Sequence, residues 1–166
     1  MRIAALSDLH ITESRLDGEH GHGETMRGTL KAIQEAKPDL ILIGGDLTGY
    51  EVPHRATPRE RNALVEFLLG LGEKAPVVVC RGNHDYPGDF DFLNILRGDN
   101  IFFSSKPELV SGDSWAVMTL PWLDVTDFPS GRAYIACVTQ AYRDAIEGVK
   151  TDLLAVRRKK GFTCVL

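Results

Sequence analysis

Cysteine is scarce in this chain. Only Cys80, Cys137 and Cys164 occur in 166 residues, far apart and flanked by apolar residues. Three separated thiols make neither a disulfide framework nor a zinc cluster, and they read as core residues in a reducing cytoplasm. Long apolar runs are also missing. None approaches the roughly 18 residues that a membrane helix needs. The N-terminal MRIAALSDLH carries a charge beside a very short apolar stretch, which does not read as a signal peptide. There is no excess of positive charge: 19 Lys and Arg stand against 23 Asp and Glu, a net charge of −4. A general nucleic-acid-binding field is therefore excluded, and a polyanionic substrate must be held by a local patch or by metal ions. Internal repeats and low-complexity linkers are absent as well.

What remains is the composition of an ordinary soluble globular protein, 43% hydrophobic and 25% charged, which excludes disordered, collagen-like and coiled-coil readings. The length suits one domain over residues 1–166 with a single sizeable core. In the first half, short apolar runs alternate with helical periodicity. Ile3 to Ser7, Leu40 to Ile43 and Pro76 to Cys80 read as buried strands. Met26, Leu30, Ile33 and Ala36 recur at helical spacing between Glu24 and Lys37, and Pro38 ends the pattern. Thr57-Pro58-Arg59-Glu60 is a helix start, with a capping threonine, proline in the first helical position and glutamate three residues after the cap. The polar, glycine-rich stretch from Thr12 to Gly23 fits no regular element.

This order of strands and helices predicts an α/β fold built on a parallel sheet covered on both faces. The second half is different. Ile101 to Phe103, Leu109 to Val110 and Trp115 to Leu120 are closely spaced and predict antiparallel strands. A long helix follows from about Ala136 to Lys160, with Ala141, Ala145, Val149, Leu153 and Val156 near one face, and Phe162 to Leu166 closes the chain as another strand.

Each strand of the first half ends in residues that bind metals. The first is followed by Asp8-Leu9-His10, the second by Gly44-Gly45-Asp46 and the third by Gly82-Asn83-His84-Asp85. Ligands bind open α/β sheets at the carboxyl ends of the strands, so these loops should converge. Carboxylate, imidazole and amide donors together suit a divalent ion of intermediate softness such as Mn²⁺, Fe²⁺ or Zn²⁺. In an extended stretch the two side chains of Asp8-x-His10 point the same way, and the glycines beside Asp46 and Asn83 let the backbone turn sharply. Singly, each motif also reads as a polar turn; their conjunction in this order is what points to a metal site.

The order D-x-H, G-D, G-N-H-D resembles the calcineurin-like metallophosphoesterase superfamily, over essentially the whole chain. Within it, Thr57 to Asn62, Arg81 to Gly88 and Leu120-Pro121-Trp122 are similar to SbcD-type DNA-repair exonucleases. The resemblance implies a β-sandwich flanked by helices (αββα) and hydrolysis of phosphate esters at two divalent ions. Two ions roughly 3.5–4 Å apart neutralise the phosphodiester, and one lowers the pKa of a water enough to supply hydroxide at neutral pH. It also implies that Asp8 and His10 bind the first ion, that Asp46 bridges both and that Asn83 binds the second. His84 matches the catalytic histidine, a group whose ordinary pKa of about 6.5 suits it to protonate a leaving oxygen. Asp85 is assigned to orienting the loop. DNA as substrate and an SbcC-type ATPase as partner follow from the same resemblance; a cytoplasmic location, no membrane association and a homodimer are expected beside them. The alternatives are a phosphatase or cyclic-nucleotide phosphodiesterase acting on small substrates, and an inactive fragment that binds a metal or a partner.

The chain departs from the superfamily in one respect. Its histidines are His10, His20, His22, His54 and His84, so nothing after His84 supplies the later imidazoles of the pattern. The expectation is a truncated chain covering roughly the first half to two-thirds of the family's catalytic domain, its C-terminal part missing. His20 and His22 read as substitute ligands or, more commonly for such a loop, as solvated residues; His54 reads as a rim or surface group. Arg157-Arg158-Lys159-Lys160 reads first as a cationic last turn that complements the helix dipole and second as a contact to DNA. Tyr50, Tyr86, Trp115 and Trp122 read first as core or rim residues and second as a stacking surface.

Overall fold

A computed structural model describes residues 1–17, 21–49, 55–96, 98, 100–123, 133–160 and 163–165. His20, Tyr50, His54, Phe162 and Leu166 lie outside the described residues, as do the side chains of Arg157, Arg158, Lys159, Lys160 and Cys164. The chain divides into two compact units, residues 1–103 and 104–166.

In the first unit, β1 (Ile3–Leu6), β2 (Leu40–Ile43), β3 (Val77–Cys80) and β4 (Ile101–Ser104) form one sheet in the order β1-β2-β3-β4. β1 runs parallel to β2, with Ile3 opposite Leu40, and β2 runs parallel to β3, with Ile41 opposite Val77. The helices α1 (His22–Ala36), α2 (Pro58–Gly72) and α3 (Pro87–Leu93) flank this mixed α/β arrangement. Ile41, Ile43, Val77 and Val79 of the central strands are buried together with Leu64, Phe67, Leu68 and Leu71 of α2. Continuous apolar runs become β2 and β3 because both faces of those strands are covered. β1 is an edge strand, not the buried strand that its apolar run predicts. Ile3 and Ala5 are exposed, while Ala4 and Leu6 pack on the core.

α1 begins at His22, two residues before the periodicity announces it. It ends where Lys37 takes a left-handed conformation (φ 48°) and donates its N–H to the Ile33 carbonyl, just before Pro38. Part of the preceding glycine-rich stretch is ordered as a short 3₁₀ turn, Glu13–Arg15. The start of α2 carries both bonds of a capping box. Thr57 Oγ1 accepts from the Glu60 N–H at 3.2 Å, and Glu60 Oε2 accepts from the Thr57 N–H at 2.8 Å. The other oxygen of the buried Glu60 carboxylate accepts from the Glu13 N–H at 2.7 Å, tying the loop after β1 to α2.

The second unit contains β5 (Glu108–Ser111), β6 (Trp115–Thr119), α4 (Ala133–Lys160) and β7 (Thr163–Val165). β5 and β6 pair antiparallel, and β7 joins β6 in parallel. The antiparallel expectation therefore holds for β5 and β6. β4 instead extends the first sheet beside β3, because Ile101 and Phe103 are buried in that core, where the Phe103 ring meets Phe90 edge-on at 5.8 Å. Val149 and Leu153 on the expected face of α4 are buried, and Leu153 clusters with Ala116, Leu109 and Val156. Trp115 is a core residue and Trp122 is exposed. Cys80 and Cys137 form no disulfide and are half-buried, so neither is the fully enclosed core thiol that the sequence suggests. No helix among the described residues is long and apolar enough to cross a membrane.

The capping arrangement makes a graded prediction. Thr57→Ala should cost about 1 kcal/mol in urea unfolding. Glu60→Ala should cost about 2 kcal/mol or more, since it strands the N–H groups of both Thr57 and Glu13. Equal losses in the two variants would show that the Glu13 link contributes nothing.

Candidate metal centre

The site grows out of the parallel pairing of β1 and β2. Beyond the regular strands the two chains continue side by side. The Asp8 N–H donates to the Gly45 carbonyl at 3.2 Å, the His10 N–H to the Asp46 carbonyl at 2.9 Å and the Ile11 N–H to the Leu47 carbonyl at 2.9 Å. This pairing carries Asp8 and His10 onto Asp46. All three residues adopt left-handed backbones, with φ of 55°, 43° and 54°. Aspartate and histidine tolerate that region better than most residues, yet each such conformation costs on the order of 1–3 kcal/mol and persists only where the surroundings fix it.

The third loop is locked in by carboxylates. Asp85 is buried and accepts three backbone N–H groups: Asp46 at 2.9 Å and Gly82 at 2.8 Å on one oxygen, Leu47 at 2.7 Å on the other. Burial pushes the Asp85 carboxyl above its ordinary pKa; the three donors pull against that rise, and the Asp46 charge adds to it. In return, the His84 N–H donates to Asp46 Oδ1 at 2.9 Å. Glycine is obligatory here. Gly45 has φ of 97°, and a Cβ on it would run into the backbone of Gly82. A Cβ on Gly82 would run into the Asp46 carboxylate.

One ligand atom from each of Asp8, His10 and Asp46 lies within 4.8 Å of the others. His10 Nδ1 donates to the Gly49 carbonyl, which can only accept, so in the neutral ring Nε2 carries the lone pair. That Nε2 lies 3.7 Å from Asp8 Oδ1. A carbonyl fixing one ring nitrogen while the other faces carboxylates is the usual arrangement around a metal-bound histidine. The His84 ring sits edge-on to His10 at 5.2 Å, and its Nδ1 is buried without a hydrogen-bond partner among the described residues. The two carboxylates of Asp8 and Asp46 and the imidazole of His10 are a donor set that fits a divalent cation. The fold thus brings together Asp8, His10, Asp46 and His84, while Asn83 lies exposed in the turn between Gly82 and His84.

His22 is not a solvated loop residue. It is the first residue of α1, half-buried, and its Nε2 is sealed from solvent with no hydrogen-bond partner among the described residues. Burial lowers its pKa, and the nearby Arg15 and His10 lower it further. The left-handed backbones and the particular donors that Asp85 gathers had no signal in the sequence beyond the glycines that flank them.

The sequence profile of the calcineurin-like phosphoesterases matches residues 1–151. The chain belongs to this family. It is a family that binds divalent metal ions, and the cluster of Asp8, His10 and Asp46 is a candidate for that role. Among curated proteins, the chain is similar to Phosphodiesterase YaeI of Escherichia coli (strain K12), at 42% identity over 53 residues. That match takes in 32% of this chain and 18% of the length of the relative.

Because Asp85 holds two loops through three N–H groups, Asp85→Ala should cost about 3 kcal/mol in urea unfolding, and Asp85→Asn about half of that. Calorimetric titration with Mn²⁺ should show at least tenfold weaker binding in Asp85→Ala, although Asp85 is not assigned as a ligand. Wild-type stability and affinity in that variant would contradict the described role.

Proposed function

We propose that this chain is a metal-dependent nuclease of the SbcD type that hydrolyses DNA phosphodiester bonds. Its cofactors are two divalent ions, with Mn²⁺ the first choice and Fe²⁺ or Zn²⁺ the others. The observation that supports this reading best is the convergence of Asp8, His10 and Asp46 within 4.8 Å, at the strand ends where open α/β sheets bind ligands. The flanking segments Thr57 to Asn62 and Arg81 to Gly88 support the nuclease subtype by their similarity to SbcD-type enzymes. A cytoplasmic location, an SbcC-type ATPase partner and a homodimer belong to the same proposal.

In this reading Asp8 and His10 would hold the first ion, Asp46 would serve both and Asn83 would hold the second. When bound, the ions would neutralise the phosphodiester and lower the pKa of a water enough to make hydroxide available near pH 7. Asp46 keeps its orientation through the His84 N–H. The Gly49 carbonyl fixes the tautomer and the plane of His10. His84, edge-on to His10, delivers a proton to the leaving oxygen. A second reading, hydrolysis of small phosphodiesters, is favoured by the name of the YaeI relative, a phosphodiesterase.

Two substitutions separate the roles. His84→Ala should lower turnover by about 10²–10⁴ while Mn²⁺ affinity stays within a few-fold of wild type. Asp46→Ala should abolish tight Mn²⁺ binding. Equal loss of metal by the two variants would contradict the assignment of His84. Mn²⁺-dependent degradation of linear DNA supports the nuclease reading; hydrolysis confined to a small chromogenic diester selects the second.

A further inference from the structure

We infer that Arg55 is a phosphate-binding residue for a polynucleotide strand, contacting a backbone phosphate other than the one at the metal centre. The inference rests on the nuclease reading above and deepens it by assigning a residue that holds the bound strand away from the metal centre.

Arg55 is exposed, and its guanidinium lies over the Tyr86 ring at 5.1 Å from the centroid, with Nη2 donating to Tyr86 Oη at 3.4 Å. Among the described residues, Tyr86 is its only hydrogen-bond partner. The neighbouring arginines are engaged: Arg59 with Asp17 and Arg61 with Asp89, both at 2.6 Å. Asp89 is close enough to act on Arg55 through its charge, but its oxygens bond Arg61 and the Ala56 N–H at 2.6 Å. The backbone next to Arg55 is therefore anchored, and among the described residues only one of the Arg55 side-chain donors is engaged.

Its position relates it to the site. Tyr86 directly follows Asp85, the carboxylate that fixes Asp46, and stands two residues after His84. A guanidinium stacked on an aromatic ring is held in one plane, and its outward N–H edge matches the oxygens of a phosphate. The scissile phosphate belongs at the carboxylate and histidine cluster. A second phosphate is present in a polynucleotide and absent from a simple diester. In a chain of net charge −4, an exposed cation without an acidic hydrogen-bond partner among the described residues contributes measurably to binding of a polyanion.

The test needs no metal. Binding of a short fluorescein-labelled oligothymidylate is followed by anisotropy in the presence of a chelator, across a salt series, for wild type, Arg55→Ala, Arg55→Lys and Lys150→Ala. Lys150 is an exposed lysine bonded to Glu147 in the second unit and controls for net charge. Arg55→Ala should weaken binding on the order of tenfold at low salt and reduce the salt slope by about 0.7, the value for one phosphate contact on a single strand. Arg55→Lys should restore the slope without the full affinity. A slope and affinity in Arg55→Ala equal to those of Lys150→Ala would overturn the inference. It would also fall if the wild-type chain binds no oligonucleotide at low salt. Mn²⁺-dependent hydrolysis of a small chromogenic diester by wild type would then show that the phosphoesterase reading survives without it.

Discussion

The buried carboxylate of Asp85 is the constraint on which the site depends. It gathers the N–H groups of Asp46, Leu47 and Gly82, and so fixes the loop after β2 against the loop after β3. Without those bonds three donors would lose partners in a place where water cannot fully replace them. The close approach also demands the absence of side chains, which is why Gly45 and Gly82 face each other there. The left-handed backbone of Asp46 is affordable only inside such a frame.

The electrostatics follow from the same frame. Asp46 lies close to Asp8 on one side and to Asp85 on the other, in a chain that is already net acidic. Three carboxylates in one region repel one another, and each is handled differently. Burial and the Asp46 charge raise the pKa of Asp85, and its three backbone donors oppose that rise. Asp46 accepts the His84 N–H, and Asp8 remains largely open to solvent beside His10. The residual negative charge of Asp8 and Asp46, with the lone pair on His10, is what a divalent cation complements. The pairing that continues past β1 and β2 as an irregular ladder delivers these groups.

Much of this could be read in the sequence, for definite physical reasons. Leu40 to Ile43 and Val77 to Cys80 are apolar on both faces, and only burial in a parallel sheet explains that. The capping box at Thr57 and Glu60 is local chemistry and appears where its spacing puts it. Asp8, His10 and Asp46 were legible as a group because all follow strands. Other features depend on tertiary contacts that no local pattern encodes. Ile3 is exposed because β1 is an edge, and β4 joins the first sheet because Ile101 and Phe103 fill its core. α3 follows Tyr86 within a stretch too short to show periodicity. His22 lies in a glycine-rich stretch that gives no sign of the helix beginning there. The second oxygen of Glu60 reaches a residue 47 positions away.

The central claim is that Asp8, His10 and Asp46 form a divalent-metal centre at the strand ends. Crystals of the chain soaked in MnCl₂ and measured for anomalous scattering test it most directly. The account predicts an anomalous peak within bonding distance of His10 Nε2 and of carboxylate oxygens from Asp8 and Asp46. A map with no peak there, or with manganese bound only elsewhere on the surface, would contradict it.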